Sequence, residues 1–164
     1  MVSSKILIVE DDVLIGKDLA RHLKAAGYDV VGRAATGEDA IRSAEETRPD
    51  LVLIDVGLGA AMDGVEAAGI IRSRVDSALI YLTAQTAKEV FDRAKMTQPY
   101  AFLTKPISPP ELERAVEMAL YKSKMERRLR ESENRLSRVL ESISDGFFVL
   151  DNDFVLTYFN RAAE

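Results

Sequence analysis

Three short apolar runs constrain this chain more than any other feature: Ile6-Leu7-Ile8-Val9, Leu51-Val52-Leu53-Ile54, and residues 78–82. Each is too short for a stable helix and none alternates with polar residues. A run of this kind is a strand buried on both faces, the condition of strands in a parallel sheet covered by helices. The intervening segments have helical periodicity. Residues 13–26 place Leu14, Leu19 and Leu23 on one face, and Gly27 stops them. Residues 38–46 carry Ala40, Ile41 and Ala44 and are closed by Pro49. Residues 65–74 read as a third helix, and residues 88–94 as a fourth with a weak apolar face. Shorter strands are expected at 28–32 and 101–103. Pro109-Pro110 then opens a fifth helix, because proline is tolerated in a first turn. Five strand–helix units make a doubly wound α/β domain over residues 1–121.

The fifth helix has no evident stop, since no glycine or proline occurs from Glu111 to Asp145. Met118, Met125, Leu129, Leu136, Val139 and Ile143 fall on a heptad seam, with Lys122 and Ser132 as its polar positions. Residues 122–141 carry seven basic and four acidic side chains around that seam. Such a stripe can pack on the helix's own domain, but a helix over 30 residues long outruns a domain of this size. The expectation is therefore a parallel homodimeric coiled coil over 122–144, through Met125, Leu129, Leu136, Val139 and Ile143. After Asp145-Gly146 the pattern becomes two apolar segments around Asp151-Asn152-Asp153, which is a hairpin signal. Residues 145–164 then open a further domain.

The chain has no cysteine, which excludes disulfides, zinc–thiolate sites and thiol catalysis. A net charge of −5 argues against a generic nucleic-acid binder. No apolar run approaches the roughly 20 residues needed to cross a bilayer, and no signal peptide is evident. A cytoplasmic protein is expected.

In an open parallel sheet, ligands bind outside the carboxyl ends of the strands. Here the first strand ends in Glu10-Asp11-Asp12, the third in Asp55, the fourth in Thr83-Ala84 and the fifth in Thr104-Lys105-Pro106. Each has an ordinary explanation alone: Asp12 caps the next helix, Asp55 serves a turn, Thr83 is another cap, Lys105 is a surface charge. Together they describe one chemistry. Clustered carboxylates suit a hard cation such as Mg²⁺. One of them can attack phosphorus and form an acyl phosphate, while a lysine and a hydroxyl bind phosphoryl oxygens. His22, the one histidine, reads as an ordinary surface residue, and Gly57 with Gly59 does not make a dinucleotide fingerprint.

The blocks Ile6-Leu7-Ile8-Val9-Glu10-Asp11-Asp12, Leu51-Val52-Leu53-Ile54-Asp55, Met62-Asp63-Gly64, Tyr81-Leu82-Thr83-Ala84 and Phe102-Leu103-Thr104-Lys105-Pro106 resemble, in order, those of a response-regulator receiver domain. The resemblance covers about residues 4–122. It implies a flavodoxin-like sheet of order 2-1-3-4-5 with helices on both faces. It implies that Asp55 is the phosphoacceptor, that Glu10, Asp11, Asp55 and the Gly57 carbonyl hold Mg²⁺, and that Lys105 bridges to the phosphoryl group. Thr83 and Phe102 become the switch residues, the Lys105–Pro106 peptide is expected to be cis, and the surface of the fourth helix, fifth strand and fifth helix carries the signal. The donor would be a histidine kinase or a phosphotransfer protein.

Two departures stand out. The loop Gly57-Leu58-Gly59-Ala60-Ala61-Met62 lacks the family's usual proline and has one extra residue, so greater mobility is expected there. Phe102 lacks the hydroxyl often found at its position, so switching must act by packing. Residues 140–164, especially Ser144-Asp145-Gly146-Phe147 and Asn160-Arg161-Ala162-Ala163-Glu164, resemble the opening of a PAS sensor domain, which implies a longer natural protein, such as a receiver–PAS protein or histidine kinase. Two other functions stay open on the residues alone. One is a Mg²⁺-dependent phosphohydrolase, disfavoured because Gly57 stands where such enzymes carry a second acid. The other is a dimerising interaction module with a dead acidic site, disfavoured by the intact Asp11, Asp55, Thr83 and Lys105.

Overall fold

All three apolar runs, and both shorter segments, enter one parallel sheet. The computed structural model describes residues 3–59, 61–84, 88–142 and 148–159. The elements are β1 (Lys5–Val9), α1 (Val13–Ala25), β2 (Asp29–Ala34), α2 (Gly37–Thr47), β3 (Leu51–Asp55), α3 (Gly64–Arg74), β4 (Ala78–Thr83), α4 (Lys88–Lys95), β5 (Ala101–Thr104), α5 (Pro109–Glu141), β6 (Phe148–Leu150) and β7 (Leu156–Phe159). The five-stranded sheet has the order β2-β1-β3-β4-β5 expected from the resemblance. Among the described residues, two compact units follow one another: Met1–Ser123 and Lys124–Glu164.

Successive strand residues feed opposite faces, which is why the runs are apolar throughout. Leu7, Val9, Val52, Ile54, Leu79 and Tyr81 pack with side chains of α2, α3 and α4. Ile6, Ile8, Leu51, Leu53, Ile80, Leu82 and Leu103 pack with Leu19 and Leu23 of α1 and Leu112, Val116 and Ala119 of α5. Most of these side chains are fully buried, and each large one contributes about 1.5–3 kcal/mol relative to exposure. The alignment of the ladders brings Val9 beside Ile54, Asp55 beside Leu82 and Thr83 beside Thr104. The carboxyl ends of β1, β3, β4 and β5 therefore finish level, on one rim.

Helix entries follow from capping. Asp12 accepts from the Leu14 and Ile15 amides, Thr36 from Asp39 and Asp63 from Glu66, each satisfying donors that a first turn leaves unpaired. Boundaries differ slightly from the sequence pattern. β2 starts after Tyr28, whose amide bonds the Leu23 carbonyl at the end of α1. It then runs on through Arg33 and Ala34, past an irregularity opposite Ile6 and Leu7. This is an edge strand with an exposed arginine, so no apolar run advertises its second half. The last turn of α5 is at Glu141, and the Ser142 hydroxyl bonds the Val139 carbonyl. Ile143 and Phe147 lie outside the described residues.

In the second unit, β6 and β7 pair antiparallel, as the hairpin signal predicted. The turn is organised by Asp151, whose Oδ1 accepts from the Asp153 and Val155 amides. The Tyr158 hydroxyl donates to Glu141 Oε1 at 2.8 Å.

One glycine positions the sheet's rim. Gly64 donates its amide to the Val56 carbonyl, and a Cβ there would lie 1.8 Å from the Asp55 carbonyl oxygen. The backbone just after Asp55 thus fits only against a residue with no side chain. Gly64→Ala is expected to cost about 3 kcal/mol or more, the upper range for overpacking. Urea denaturation of the variant and wild type measures this.

Candidate functional site

Four strand ends supply the site. Asp55, at the end of β3, is only 7% exposed. Its Oδ1 accepts from the Gly57 amide at 2.9 Å and its Oδ2 from Lys105 Nζ at 2.5 Å. Glu10, just past β1, is buried beside it, with Oε2 2.6 Å from the same ammonium. That contact is an ion pair without hydrogen-bond alignment, and Oε2 is the buried side-chain atom left without a hydrogen-bond donor among the described residues. Oε1 accepts from the Asp12 amide at 3.3 Å. Asp11 is exposed, and its Oδ2 accepts from the Gly59 amide at 3.2 Å. Glu10, Asp11 and Asp55 each present an oxygen within 4.8 Å of the others.

The electrostatics follow from that crowding. Burial raises the Glu10 carboxyl above its ordinary value and the neighbouring Asp55 charge adds to this, against the Lys105 ammonium, which opposes it. Burial alone would lower the Lys105 ammonium, but Asp55 and Glu10 together hold it above its ordinary value. An all-oxygen set of three carboxylates, with one lysine ammonium shared between two of them, fits a hard divalent cation. The Lys105–Pro106 peptide is cis, and the Lys105 amide bonds the Thr83 carbonyl at 2.8 Å. Thr83 is buried at the end of β4, beside Thr104.

The loop expected to be mobile is tied at several points. Leu58 is buried in the core, Gly59 holds Asp11, and Met62 packs so closely on Gly37 that a Cβ there would meet its sulfur at 2.8 Å. Ala60 lies outside the described residues.

Phe102 is half-buried between two rings: Tyr81 at 5.4 Å and Phe91 of α4 at 4.6 Å between centroids. Tyr81 lies two residues before Thr83 on the same strand. Its hydroxyl is 2.8 Å from Thr97 Oγ1, which itself donates to the Ala94 carbonyl. The threonine's one proton is thereby used, so Tyr81 is the donor. Burial pushes the Tyr81 phenol up to about 12, and it stays a donor across ordinary pH. Arg93 of α4 pairs with Asp63 at 2.7 Å, and Arg72 bonds Gln98 at 3.2 Å. Sequence reasoning found Phe102 but not its ring partners Tyr81 and Phe91, nor the separate Asp63–Arg93 pair. The signal for Asp63 was present: an aspartate three residues before Glu66 at a helix start. Among the α4 side chains described, Ala94 alone is fully buried, and Arg93 ties the helix to Asp63.

On the seam, Leu129, Leu136 and Val139 are exposed and Met125 is half-buried. His22 is half-exposed, 3.4 Å from Asp18 on its own helix and remote in sequence from the site residues. Among the described residues, no helix is long and apolar enough to cross a membrane.

Comparison with known proteins finds matches for both parts of the chain. The family model "Response regulator receiver domain" matches residues 6–117, and the model "PAS domain" matches residues 134–164. The transcriptional regulatory protein PdtaR of Mycobacterium tuberculosis is 39% identical over 119 residues, covering 73% of this chain and 58% of its own length. The chain spans about half the length of the curated relatives it matches. Among solved structures, the signal receiver domain of a modulated diguanylate cyclase from Desulfovibrio desulfuricans superposes with a TM-score of 0.73 at 39% identity, over 76% of this chain and 99% of that one. The N-terminal domain of a response regulator/sensory box/GGDEF 3-domain protein from Carboxydothermus hydrogenoformans gives 0.69 at 36% identity, over 74% and 98%.

The Asp63 clasp yields a prediction. Burial would raise its carboxyl, but the Glu66 amide and the Arg93 guanidinium together lower it below the ordinary 3.8. A lowered folded-state value stabilises the fold above 3.8, and that stabilisation is lost as pH falls through the depressed value. Asp63→Asn keeps a capping oxygen and loses the ion pair. It should cost up to about 1 kcal/mol at neutral pH, with the difference from wild type shrinking below pH 4 in urea titrations at a series of pH values.

Proposed function

This chain belongs to the response regulator receiver domain family, and from that premise we propose that it acts in two-component signalling by taking a phosphoryl group onto Asp55. The observation that carries the reading is the state of that carboxylate. It is buried, with one oxygen on the Gly57 amide and the other on Lys105, and Glu10 and Asp11 stand beside it. A buried nucleophile held from two sides loses little orientational freedom on reaction, and positioning with electrostatics supplies most of the catalysis in phosphoryl transfer.

In the proposed step, an Asp55 oxygen attacks the phosphorus of a phosphohistidine in line. The P–N bond breaks, its electron pair returns to the imidazole nitrogen, and an acyl phosphate forms on Asp55. Lys105 exchanges its Asp55 contact for a phosphoryl oxygen. Glu10, Asp11, Asp55 and the Gly57 carbonyl would hold Mg²⁺, which when bound supplies positive charge against the phosphoryl oxygens. Thr83 turns its hydroxyl toward the new group. Phe102, released or trapped by that movement, changes its packing between Tyr81 and Phe91 and so the surface of α4, β5 and α5. Gly57 offers no acid or base two residues after Asp55, which disfavours turnover of phosphate esters.

A phosphohistidine reaches Asp55 only on a partner's surface. Beside Lys105 lies a cleft of about 480 Å³ lined by Leu14, Ile15, Asp18, Leu19, Pro106 and Ile107, and Leu14 is 76% exposed. A helix of a histidine kinase or phosphotransfer protein would pack there. On the α5 seam, two copies of the chain would pair through Met125, Leu129, Leu136 and Val139.

Acetyl phosphate with Mg²⁺ should shift wild type on a phosphate-affinity gel and leave Asp55→Asn unshifted; equal labelling of both would overturn the assignment. Leu14→Glu lies on the surface and should fold normally. It should slow transfer from a phosphorylated kinase roughly tenfold, the effect of a lost apolar contact of about 1.4 kcal/mol, while labelling by acetyl phosphate stays at the wild-type rate.

A further inference from the structure

Helix α5 carries two apolar stripes, not one. Leu112, Val116, Ala119 and Ser123 are buried against the receiver sheet. Continued at the same spacing, that stripe passes through Glu126, Arg130, Glu133 and Ser137, none of them apolar, before reaching Leu140 at the helix end. The exposed apolar side chains beyond Ser123, Leu129, Leu136 and Val139, lie on a stripe that contains Met118 and Met125 instead. Met118 precedes the buried Ala119 by one residue, so the second stripe is rotated by about 100° from the first. It does not continue the domain's own packing face.

In coiled-coil terms Leu129 and Leu136 take a positions, while Met125, Ser132 and Val139 take d positions. The flanking positions are then fixed. Arg128 and Arg135 fall at g, Glu126 and Glu133 at e, and Arg128, Glu133 and Arg135 are exposed. In a parallel pair, g faces the e position five residues further along the other helix, which sets Arg128 against the partner's Glu133, twice by symmetry. In an antiparallel pair, g faces g and e faces e, which sets arginine against arginine and glutamate against glutamate.

We infer that Arg128 and Glu133 are an ionic code on α5 that selects a second copy of this chain, parallel and in register, as the occupant of the seam. The inference rests on the proposed dimer and adds the residues that choose partner and direction. Both lie off the acidic site, so phosphorylation of Asp55 by acetyl phosphate serves as a control for folding.

The test uses the full chain in sedimentation equilibrium. Arg128→Glu and Glu133→Arg each turn two attractive contacts into two repulsive ones, and each alone should dimerise roughly tenfold more weakly than wild type. An equimolar mixture of the two restores both attractions and should form heterodimers with wild-type affinity, as should the double variant with itself. Ser132→Cys, in a chain with no other cysteine, should oxidise to a disulfide-linked dimer. Single variants that pair as tightly as wild type, or a mixture that assorts at random, would overturn the code while leaving the dimer standing. A wild-type dimer whose Ser132→Cys form does not cross-link would overturn the parallel direction. A wild-type chain that stays monomeric at all concentrations would instead remove the dimer on which the code rests.

Discussion

The arrangement of the rim depends on one ammonium. The sheet order sets β1 and β3 side by side, and their aligned ends force the Glu10 and Asp55 carboxylates together in a poorly solvated place. Two like charges about 4 Å apart repel by about 1 kcal/mol in water and about 4 kcal/mol in the effective medium near a protein surface. Lys105 reaches from the far side of β4 and lies within 2.6 Å of an oxygen on each. It offsets repulsion that would otherwise be relieved by protonation or by splaying the strand ends. One ammonium against two carboxylates leaves a net negative charge, and burial, with the Asp55 charge adding to it, raises the Glu10 carboxyl. What remains is an excess of negative charge among three neighbouring carboxylates, an environment that suits a hard divalent cation.

Much of this was legible in the sequence because it depends on local patterning. A strand buried on both faces must be apolar throughout, so β1, β3 and β4 declared themselves, and parallel α/β topology placed their carboxyl ends together. The acidic residues, Thr83 and Lys105 were found as strand-end residues. What escaped were contacts whose partners are far apart in the chain and meet only once the register is set. The Gly59 amide on Asp11, Arg93 on Asp63 and the Tyr81 hydroxyl on Thr97 are of this kind. No local pattern marks an amide or a buried phenol for such a bond. The second half of β2 escaped for a different reason, since an edge strand can carry an exposed charge without cost.

The weak apolar face of α4, noted in the sequence, has a structural counterpart. Among its described side chains Ala94 is the one fully buried, and Phe91 leans on Phe102 while Arg93 holds Asp63. The ring stack from Tyr81 through Phe102 to Phe91 links the strand that ends in Thr83 to α4. Asp63 adds an electrostatic tie from the loop that follows Asp55.

Helix α5 joins these features to whatever lies beyond the receiver. Its first turns belong to the receiver core through Leu112, Val116 and Ala119, so they are as rigid as the sheet they cover. Past Ser123 the exposed apolar residues of the same helix, Leu129, Leu136 and Val139, fall on another stripe. A continuous helix transmits rotation and translation from one end to the other as long as its backbone ladder is unbroken. The described span from Pro109 to Glu141 contains no proline after Pro110 and no glycine. In the proposed dimer, a shift of the receiver end would therefore appear at the seam as a change in which side chains face the second copy. The change of stripe is what makes that coupling physical: were both stripes on one face, the helix would have a single packing partner and nothing to report between two.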